Sequence, residues 1–417
     1  MEEADGQAQA AGETPDPLLF ADWQRTLWAM VAIQFVMTMS FSVLTPIMPL
    51  FLPDLGVADP HRILIWAGIL TAATPLVAAF ASPLWGSLAD RKGRKLMLLR
   101  SGFAIALFTG LMGFAGNVWQ FFAWRALMGA FAGFSTTAIA LVASQVPERR
   151  LGYALGWLST GQLVGSLVGP VIGGALADLS GSYRVPFFLT SLLTFLTTLA
   201  VHGGVREHFT PPPPGHSRRS VLAGLRMVAA SPGLLPLFLV LLLAQFAVRA
   251  AQPMVTLYVQ MLAGHVPALA TLAGLAYSIT GLADLVASPF LGKRSDRIGY
   301  RRVLLICLLG ATIASVPQAF AGSYGVFLAE RFGLGMFIGG ILPTANALVG
   351  RLVARSDRGT VFGMTASATF LGNSLGPLVG GGVAASIGLR WVFLVPAALL
   401  LANLLWVWRT VPELEGF

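Results

Sequence analysis

Long apolar stretches follow one another along almost the whole chain, and only short polar segments separate them. A helix that crosses a bilayer needs about 20 mostly apolar residues, which these stretches supply. Because lipid offers the backbone no hydrogen-bond partner, such stretches have to form helices. Only 11% of the 417 residues are charged, well below the roughly one quarter of a soluble domain. The chain is therefore predicted to be an all-α integral membrane protein.

Clusters of charged residues, glycine and proline mark the loops between twelve predicted spans. These spans cover residues 25–51, 62–87, 96–116, 118–145, 151–178, 184–205, 234–261, 266–291, 302–322, 324–351, 359–386 and 389–410. An even number of crossings places both termini on the same side of the membrane.

The basic residues of the loops fall almost entirely on one side of these spans, and only Arg62, Arg184 and Arg390 fall on the other. An excess of basic loop residues marks the cytoplasmic side of a membrane protein. Both termini are therefore predicted to be cytoplasmic, in a multi-pass protein of the bacterial inner membrane. The same distribution explains the net charge of +9 without a nucleic-acid partner.

A polar, proline-rich segment divides the chain near its middle. Residues 206–233 include four consecutive prolines and a basic stretch, which predicts a stiff cytoplasmic linker. An N-terminal six-helix bundle is predicted at 22–205 and a C-terminal one at 234–411. Disordered or short cytoplasmic tails are predicted at 1–21 and 412–417.

Three motifs occur once in each half of the chain, in nearly the same register. The first two return 206 residues later (292 − 86 = 206), and the third returns 207 residues later (372 − 165 = 207). They are Gly86-x3-Asp90-Arg91-x-Gly93 with Gly292-x3-Asp296-Arg297-x-Gly299, Phe121-x3-Arg125 with Phe327-x3-Arg331, and Gly165-x3-Gly169-Pro170-x2-Gly173-Gly174 with Gly372-x3-Gly376-Pro377-x2-Gly380-Gly381. The halves are therefore predicted to be parallel repeats that enclose a cavity and work by alternating access.

These motifs, and the stretch from Ala81 to Leu96 in particular, resemble the major facilitator superfamily and its twelve-helix drug:proton antiporters. The resemblance implies two pseudo-symmetric six-helix bundles, the MFS fold, and secondary active multidrug efflux. An exporter of one metabolite, such as a sugar or a lipid-like molecule, is an alternative with the same fold. A receptor or an enzyme that transports nothing is a remote one.

In the first motif, Gly86 is expected to allow close helix approach and Gly93 a sharp turn. Asp90 is expected to pair with Arg91 or Arg94, or to face a helix N-terminus. The resemblance implies that this loop latches the cytoplasmic side of the protein. A solvated basic loop is the alternative. Tyr300 replaces Arg94 in the second copy, so the two latches are not equivalent.

Charged residues inside the predicted spans are candidates for proton coupling, because a lipid-facing charge is costly. The candidates are Arg125, Arg249, Asp284, Glu330 and Arg331. The resemblance implies that Arg125 biases the protonation of a nearby carboxyl group, and a structural bond to backbone carbonyls is the alternative. We hypothesise that Glu330 and Arg249 form a pair that opens on protonation or on arrival of a cationic drug, with Asp284 as a second proton site. A purely structural ion pair is the other reading.

The glycines of the third motif lie four residues apart, so they form one helix face on which a neighbour can pack closely. Pro170 and Pro377 remove a backbone donor and are expected to bend spans five and eleven as hinges. Cavity-lining candidates combine large adaptable side chains with a few polar groups. They are Gln34, Met37, Gln245, Phe246, Gln252 and Asn346. Helix packing is the alternative role for each of them.

No sequence motif of a nucleotide-binding loop, a hydrolase or a metal site is present, and the single cysteine permits no disulfide within the chain. The chain is therefore predicted to be a transporter and not an enzyme, driven by the proton gradient with no cofactor and no metal. Its expected partners are small lipophilic or cationic drug-like substrates, protons and the lipid bilayer. It is expected to function as a monomer.

Overall fold

A computed structural model gives the architecture of the chain. It describes residues 17–147, 150–205, 207, 234–264, 266–352 and 358–411. Within these ranges the side chains at 17–22, 83, 87, 90, 234, 350–352 and 358–367 are not described. The predicted linker and both predicted tails therefore lie largely outside the described residues.

The described residues form helices and no strand, and twelve of the resulting segments are long and apolar enough to cross a membrane. The all-α, twelve-span prediction is therefore confirmed. The helices of the first half are Pro17–Val43 with Ile47–Phe51 (span 1), Pro60–Lys92 (span 2), Arg94–Gly113 (span 3), Val118–Ala130 with Phe134–Gln145 (span 4), Leu151–Ser180 (span 5) and Val185–Gly204 (span 6).

The second half repeats this order. Its helices are Leu234–Ala250 with Met254–Ala263 (span 7), Leu269–Ile298 (span 8), Tyr300–Ser315 (span 9), Tyr324–Leu352 (span 10), Arg358–Ile387 (span 11) and Leu394–Thr410 (span 12). Short 3₁₀ turns at Pro317–Phe320 and Leu389–Phe393 flank spans 9 and 12. We call the side that carries most loop arginines and lysines the basic face, and the other side the opposite face.

The glycine face of span 5 holds span 1 at backbone distance. A Cβ atom added at Gly165 would lie 2.5 Å from the carbonyl oxygen of Phe35, and one at Gly169 would lie 2.6 Å from that of Met39. The second half repeats the arrangement, since a Cβ at Gly376 would lie 2.8 Å from the carbonyl oxygen of Phe246 in span 7. Only glycine permits such contacts, and the helix continues through Pro170.

The paired glycines at the end of the same motif connect the two halves. Gly173 faces Val43 in span 1, whereas its neighbour Gly174 faces Ala270 in span 8 of the other half, and a Cβ at either position would collide with backbone. In span 11, Gly381 similarly faces Leu64 of span 2. All of these residues lie toward the opposite face, so the halves close on each other there.

We predict that Gly165→Ala destabilises the protein by about 1–3 kcal/mol, because the added methyl group has to push span 1 away. Gly156→Ala on the same helix is the matched control. Nothing lies within 4 Å of a Cβ at Gly156, and alanine favours a helix over glycine. Thermal unfolding of the purified protein, followed by tryptophan fluorescence, measures both. Equal melting temperatures for the two variants would contradict the glycine-seat interpretation.

Candidate functional site

Polar side chains are exposed on one face of span 5, in the part of the helix nearer the basic face. Ser159, Gln162 and Ser166 are exposed on span 5, and their spacing of three and four residues places them on one helix face. That face lies between the glycine face, which contacts span 1, and the face that contacts span 8. Thr136 on span 4 and Asn346 on span 10 are exposed as well. These exposed polar side chains are the candidates for the wall of a cavity between the halves.

Three of the predicted cavity residues are buried in helix packing. Gln34 is 1% exposed, and its amide donates to Ser135 of span 4 over 2.8 Å. Met37 is 6% exposed within the apolar core. Gln245 is 9% exposed, and its Cβ would lie 2.8 Å from a Cβ at Gly372. The prediction was wrong for these three because the glycine faces pull spans 1 and 7 against their neighbours.

Phe246 and Gln252 are half-buried, and Asn346 is exposed. Phe246 lies on span 7 beside Gly372 and Gly376 of span 11. Gln252 lies in the interruption between the two helices of span 7, where it accepts a hydrogen bond from Arg249. Of the six candidates, Asn346 is the one that is exposed in the structure.

Arg125 and Arg331 occupy equivalent places in the two halves. The Nε atom of Arg125 donates to the carbonyl oxygen of Leu70 over 2.7 Å, and that of Arg331 donates to the carbonyl oxygen of Ala276 over 3.2 Å. Both side chains are 8% exposed, and within the described residues neither forms an ion pair with a carboxylate. The contacts with span 2 and span 8 match the structural alternative for Arg125.

The predicted pair of Arg249 and Glu330 is not formed. Arg249 donates to Asn373 Oδ1 over 3.0 Å and to Gln252 Oε1 over 2.6 Å, both of them neutral amides. One carboxylate oxygen of Glu330 is buried without a hydrogen-bond partner. The sequence places both residues inside spans but does not give the direction in which each side chain points.

The surroundings of Arg249 form a hydrogen-bonded cluster in the second half. Tyr277 donates to the backbone carbonyl of Gln252 over 2.6 Å and lies 3.3 Å from the hydroxyl of Thr256. Arg331 donates to the carbonyl oxygen of Ala276, the residue before this tyrosine. Gln252, in the interruption of span 7, therefore accepts hydrogen bonds from Arg249 through its side chain and from Tyr277 through its backbone carbonyl.

The two acids inside the second bundle have few partners. Asp284 on span 8 accepts a hydrogen bond from Ser288 over 2.9 Å and lies against Gly339 of span 10. Glu330 has a buried carboxylate oxygen without a hydrogen-bond partner. No described arginine or lysine forms an ion pair with either acid. Each is therefore a carboxyl group held in the membrane region without a fixed counter-charge.

The loop motifs contain the sharp turns that were expected. Gly93 has φ +92° and Gly299 has φ +95°, a conformation that favours glycine. The side chain of Asp90 lies outside the described residues. Arg94 donates to the carbonyl oxygen of Ala140 in span 4 over 2.9 Å. In the second copy, Tyr300 donates to Asp296, so the hydroxyl that replaces Arg94 contacts the motif carboxylate directly.

Gly86 does not bring helices together, so the expectation of a close approach there was wrong. No described atom lies within 4 Å of a Cβ added at Gly86 or at the equivalent Gly292. Arg91, Asp296 and Arg297 are exposed as well. The physical reason is the open arrangement of the halves on the basic face, which leaves these helix ends unpaired in the described part of the chain.

The helix of span 4 is interrupted near its middle. Its two helices end at Ala130 and begin at Phe134, and Gly133 between them has φ +121°. The indole of Trp85 donates to the carbonyl oxygen of Ala130 over 2.6 Å. Arg100 donates to those of Phe131 and Ala132 over 3.3 Å each, and its guanidinium lies 3.4 Å from the centre of the Trp85 ring. Two side chains thus satisfy three carbonyl groups that the interruption frees.

Sequence reasoning missed this clamp, because Arg100, inside the predicted span 96–116, was not among the candidates for a functional role. The available signal was a basic residue inside an apolar run with no equivalent in the other half. Ile306 and Leu291 stand 206 residues after Arg100 and Trp85, and span 10 has no interruption. The polar face of span 5 was missed too, although its spacing could have been read from the sequence.

Two related six-helix halves, which meet toward the opposite face and expose polar side chains nearer the basic face, form the plan of a multi-pass membrane transporter. The chain belongs to the Major Facilitator Superfamily, whose family model matches residues 30–272 and 265–417. The resemblance and the fold predicted from the sequence are thus confirmed.

The chain is similar to named relatives over nearly its full length. It is 39% identical over 393 residues to the multidrug resistance protein MdtG of Salmonella arizonae, which covers 94% of this chain and 96% of the relative. Among solved structures, a bacterial homologue of the lysosomal transporter Spinster, inward-facing and occupied, has a TM-score of 0.74 at 17% identity, covering 92% and 96% of the two chains. The human organic anion transporter MFSD10 has a TM-score of 0.70 at 18% identity, covering 92% and 99%.

We predict that Trp85→Phe loosens the interruption of span 4, because the carbonyl group of Ala130 loses its donor. The expected loss is about 1–3 kcal/mol in the free energy of local opening. Hydrogen exchange of peptides that cover residues 126–140 measures it. Trp66→Phe on the same helix is the matched control, since that indole packs against the rings of Trp119 and Phe122. Unchanged exchange in Trp85→Phe would contradict the clamp.

Proposed function

We propose that this protein exports several drug-like compounds from the bacterial cytoplasm in exchange for protons. The observation that carries the proposal is that the halves meet toward the opposite face, whereas polar side chains of span 5 are exposed nearer the basic face. If the basic face is cytoplasmic, as the excess of loop arginines and lysines indicates, this state collects compounds from the cell interior. The multidrug resistance name of relatives at 39% identity supports the same substrate class.

Coupling to protons needs a group that binds a proton on one side of the membrane and releases it on the other. The buried arginines cannot serve, because a guanidinium stays charged at any usable pH. Asp284 and Glu330 remain as candidates because neither forms an ion pair with a described residue. A carboxyl group without a fixed counter-charge changes protonation more readily than one in a strong salt bridge.

The charge of the bundle interior bears on which compounds are accepted. Arg125, Arg249 and Arg331 are bonded to carbonyl and amide groups only, so their positive charge is not neutralised by a described partner. A low-dielectric cavity strengthens the attraction of such groups for a negative charge. We therefore favour neutral and anionic lipophilic compounds over the cationic ones expected from the sequence. The organic anion transporter with the same fold is consistent with this choice.

Export of one specific metabolite is the second candidate, since the same fold and the same acids would serve it. The polar face formed by Ser159, Gln162 and Ser166 favours this alternative, because its hydrogen-bonding groups would orient a hydroxylated substrate. Function as a monomer also remains part of the proposal, because one chain supplies both halves of the cavity.

We predict that inverted membrane vesicles with a pH gradient take up several unrelated lipophilic compounds, with neutral and anionic ones ahead of cationic ones. Fluorescent dyes and antibiotics of matched size and different charge measure this, and a protonophore should abolish the uptake. Arg249→Gln should lower uptake of the anionic members about tenfold and spare the neutral ones. Arg62→Gln, at an exposed position on the opposite face, is the control. Uptake of one compound only would favour the metabolite exporter.

We predict that Asp284→Asn or Glu330→Gln abolishes proton movement driven by substrate in proteoliposomes. Both amides keep the size of the side chain but cannot exchange a proton. A pH-sensitive dye inside the liposomes follows the movement, and substrate binding should survive in the inactive variant. Asp59→Asn, at an exposed helix cap, should behave like the wild type. If both variants still move protons, neither acid couples transport.

A further inference from the structure

A carboxylate of one half binds the start of a helix in the other half. Asp178, near the end of span 5, accepts hydrogen bonds from the backbone N–H groups of Ala270 and Thr271 over 3.2 Å and 2.7 Å. The hydroxyl of Thr271 donates to the same carboxylate over 2.6 Å. These two N–H groups belong to the first turn of span 8, where the helix has no acceptor of its own.

Span 8 has no internal cap at this end. Its N-cap residue is Ala268, which makes no side-chain bond, and its first turn contains no acid. A negative charge at a helix N-terminus is stabilised by the helix dipole and by the unpaired N–H groups. Asp178 therefore supplies from the other half what the local sequence of span 8 lacks.

The equivalent contact between spans 11 and 2 has no such bond. Ala385 stands 207 residues after Asp178 (385 − 178 = 207). Span 2 instead carries its own cap, since Asp59 accepts a hydrogen bond from the backbone N–H of His61 over 3.1 Å. Of these two equivalent contacts, only the one between spans 5 and 8 is therefore fastened by a charged group in the described structure.

The rest of the contact between spans 5 and 8 orients the carboxylate. Gly174 and Gly274 let the two helices touch through their backbones, and Ser278 donates to the carbonyl oxygen of Leu167 over 2.5 Å. Outside the spans, burial raises the pKa of Tyr183, and the carboxylates of Asp178 and Asp54 raise it further. The charge of Asp178 is thus held at the outer edge of the contact.

We propose that Asp178 is the latch residue that keeps the two halves closed at the opposite face. The three bonds it makes exist only while spans 5 and 8 are in contact, so they stabilise the closed state relative to the open one. Separation of the halves would leave the carboxylate and two N–H groups to water. This proposal concerns the opening of the fold and does not depend on which compounds or ions are carried.

Spin labels on the two halves test the latch directly. Gly116 and Gly322 are exposed, equivalent positions at the opposite face, and neither has positive φ. Cysteines there, with buried Cys307 replaced by alanine, allow the separation of the halves to be measured by double electron–electron resonance in nanodiscs. Asp178→Asn should raise the ratio of open to closed populations about tenfold or more, because it removes the charge and one acceptor.

Asp59→Asn is the matched control, since it makes the same chemical change at a cap that lies within one half. Its distance distribution should equal that of the parent protein. The latch is refuted if Asp178→Asn leaves the distribution unchanged, or if both variants shift it equally.

A second variant covers the case in which Asp178→Asn does not fold. Thr271→Val removes only the hydroxyl donor, and it should shift the populations in the same direction by about threefold, close to one hydrogen bond's contribution. No shift in this variant, at an unchanged melting temperature, would also overturn the proposal. Because the readout is distance and not transport, failure of the latch and failure of the proposed export function are distinguishable.

Discussion

Contact between helix backbones is the constraint on which the rest of this structure depends. In lipid, apolar side chains gain little from meeting one another, so helices associate through close packing and polar bonds. The glycines of spans 5 and 11 supply the close packing twice over. They seat spans 1 and 7 within each half and then meet spans 8 and 2 across the halves.

The sequence could predict what depends on length, composition and repetition. Twelve spans, two related halves and the sharp turns at Gly93 and Gly299 follow from apolar runs and registered motifs. It could not predict which way a side chain points on a helix that is apolar on all sides. Gln34 and Gln245 were assigned to the cavity for that reason, and they are buried. Depth along the helix also made Arg249 and Glu330 look like a pair, although their directions differ.

The two halves share a plan but differ in their polar groups. The first half has the clamp of Trp85 and Arg100 on an interrupted span 4. The second half has Arg249, Gln252 and Tyr277 around an interrupted span 7, together with two acids that lack counter-charges. The halves repeat a residue where packing requires it, as at Arg125 and Arg331, which each donate to a backbone carbonyl oxygen of a neighbouring span. Functional differences between the halves are therefore to be sought in side chains that have no equivalent.

The interruption of span 4 also coincides with a change in the offset between matching residues of the two halves. Thr137-Ala138-x-Ala140-Leu141-Val142 matches Thr344-Ala345-x-Ala347-Leu348-Val349 at an offset of 207 (344 − 137 = 207), whereas Gly129 and Gly335 differ by 206 (335 − 129 = 206). The two halves therefore differ in length by one residue between these points. Within a regular helix such a change turns all later side chains by about 100°. The non-helical residues of span 4 compensate for this rotation, so that Ala138 and Ala345 are equally buried. The two halves therefore keep equivalent packing although they differ in length by one residue.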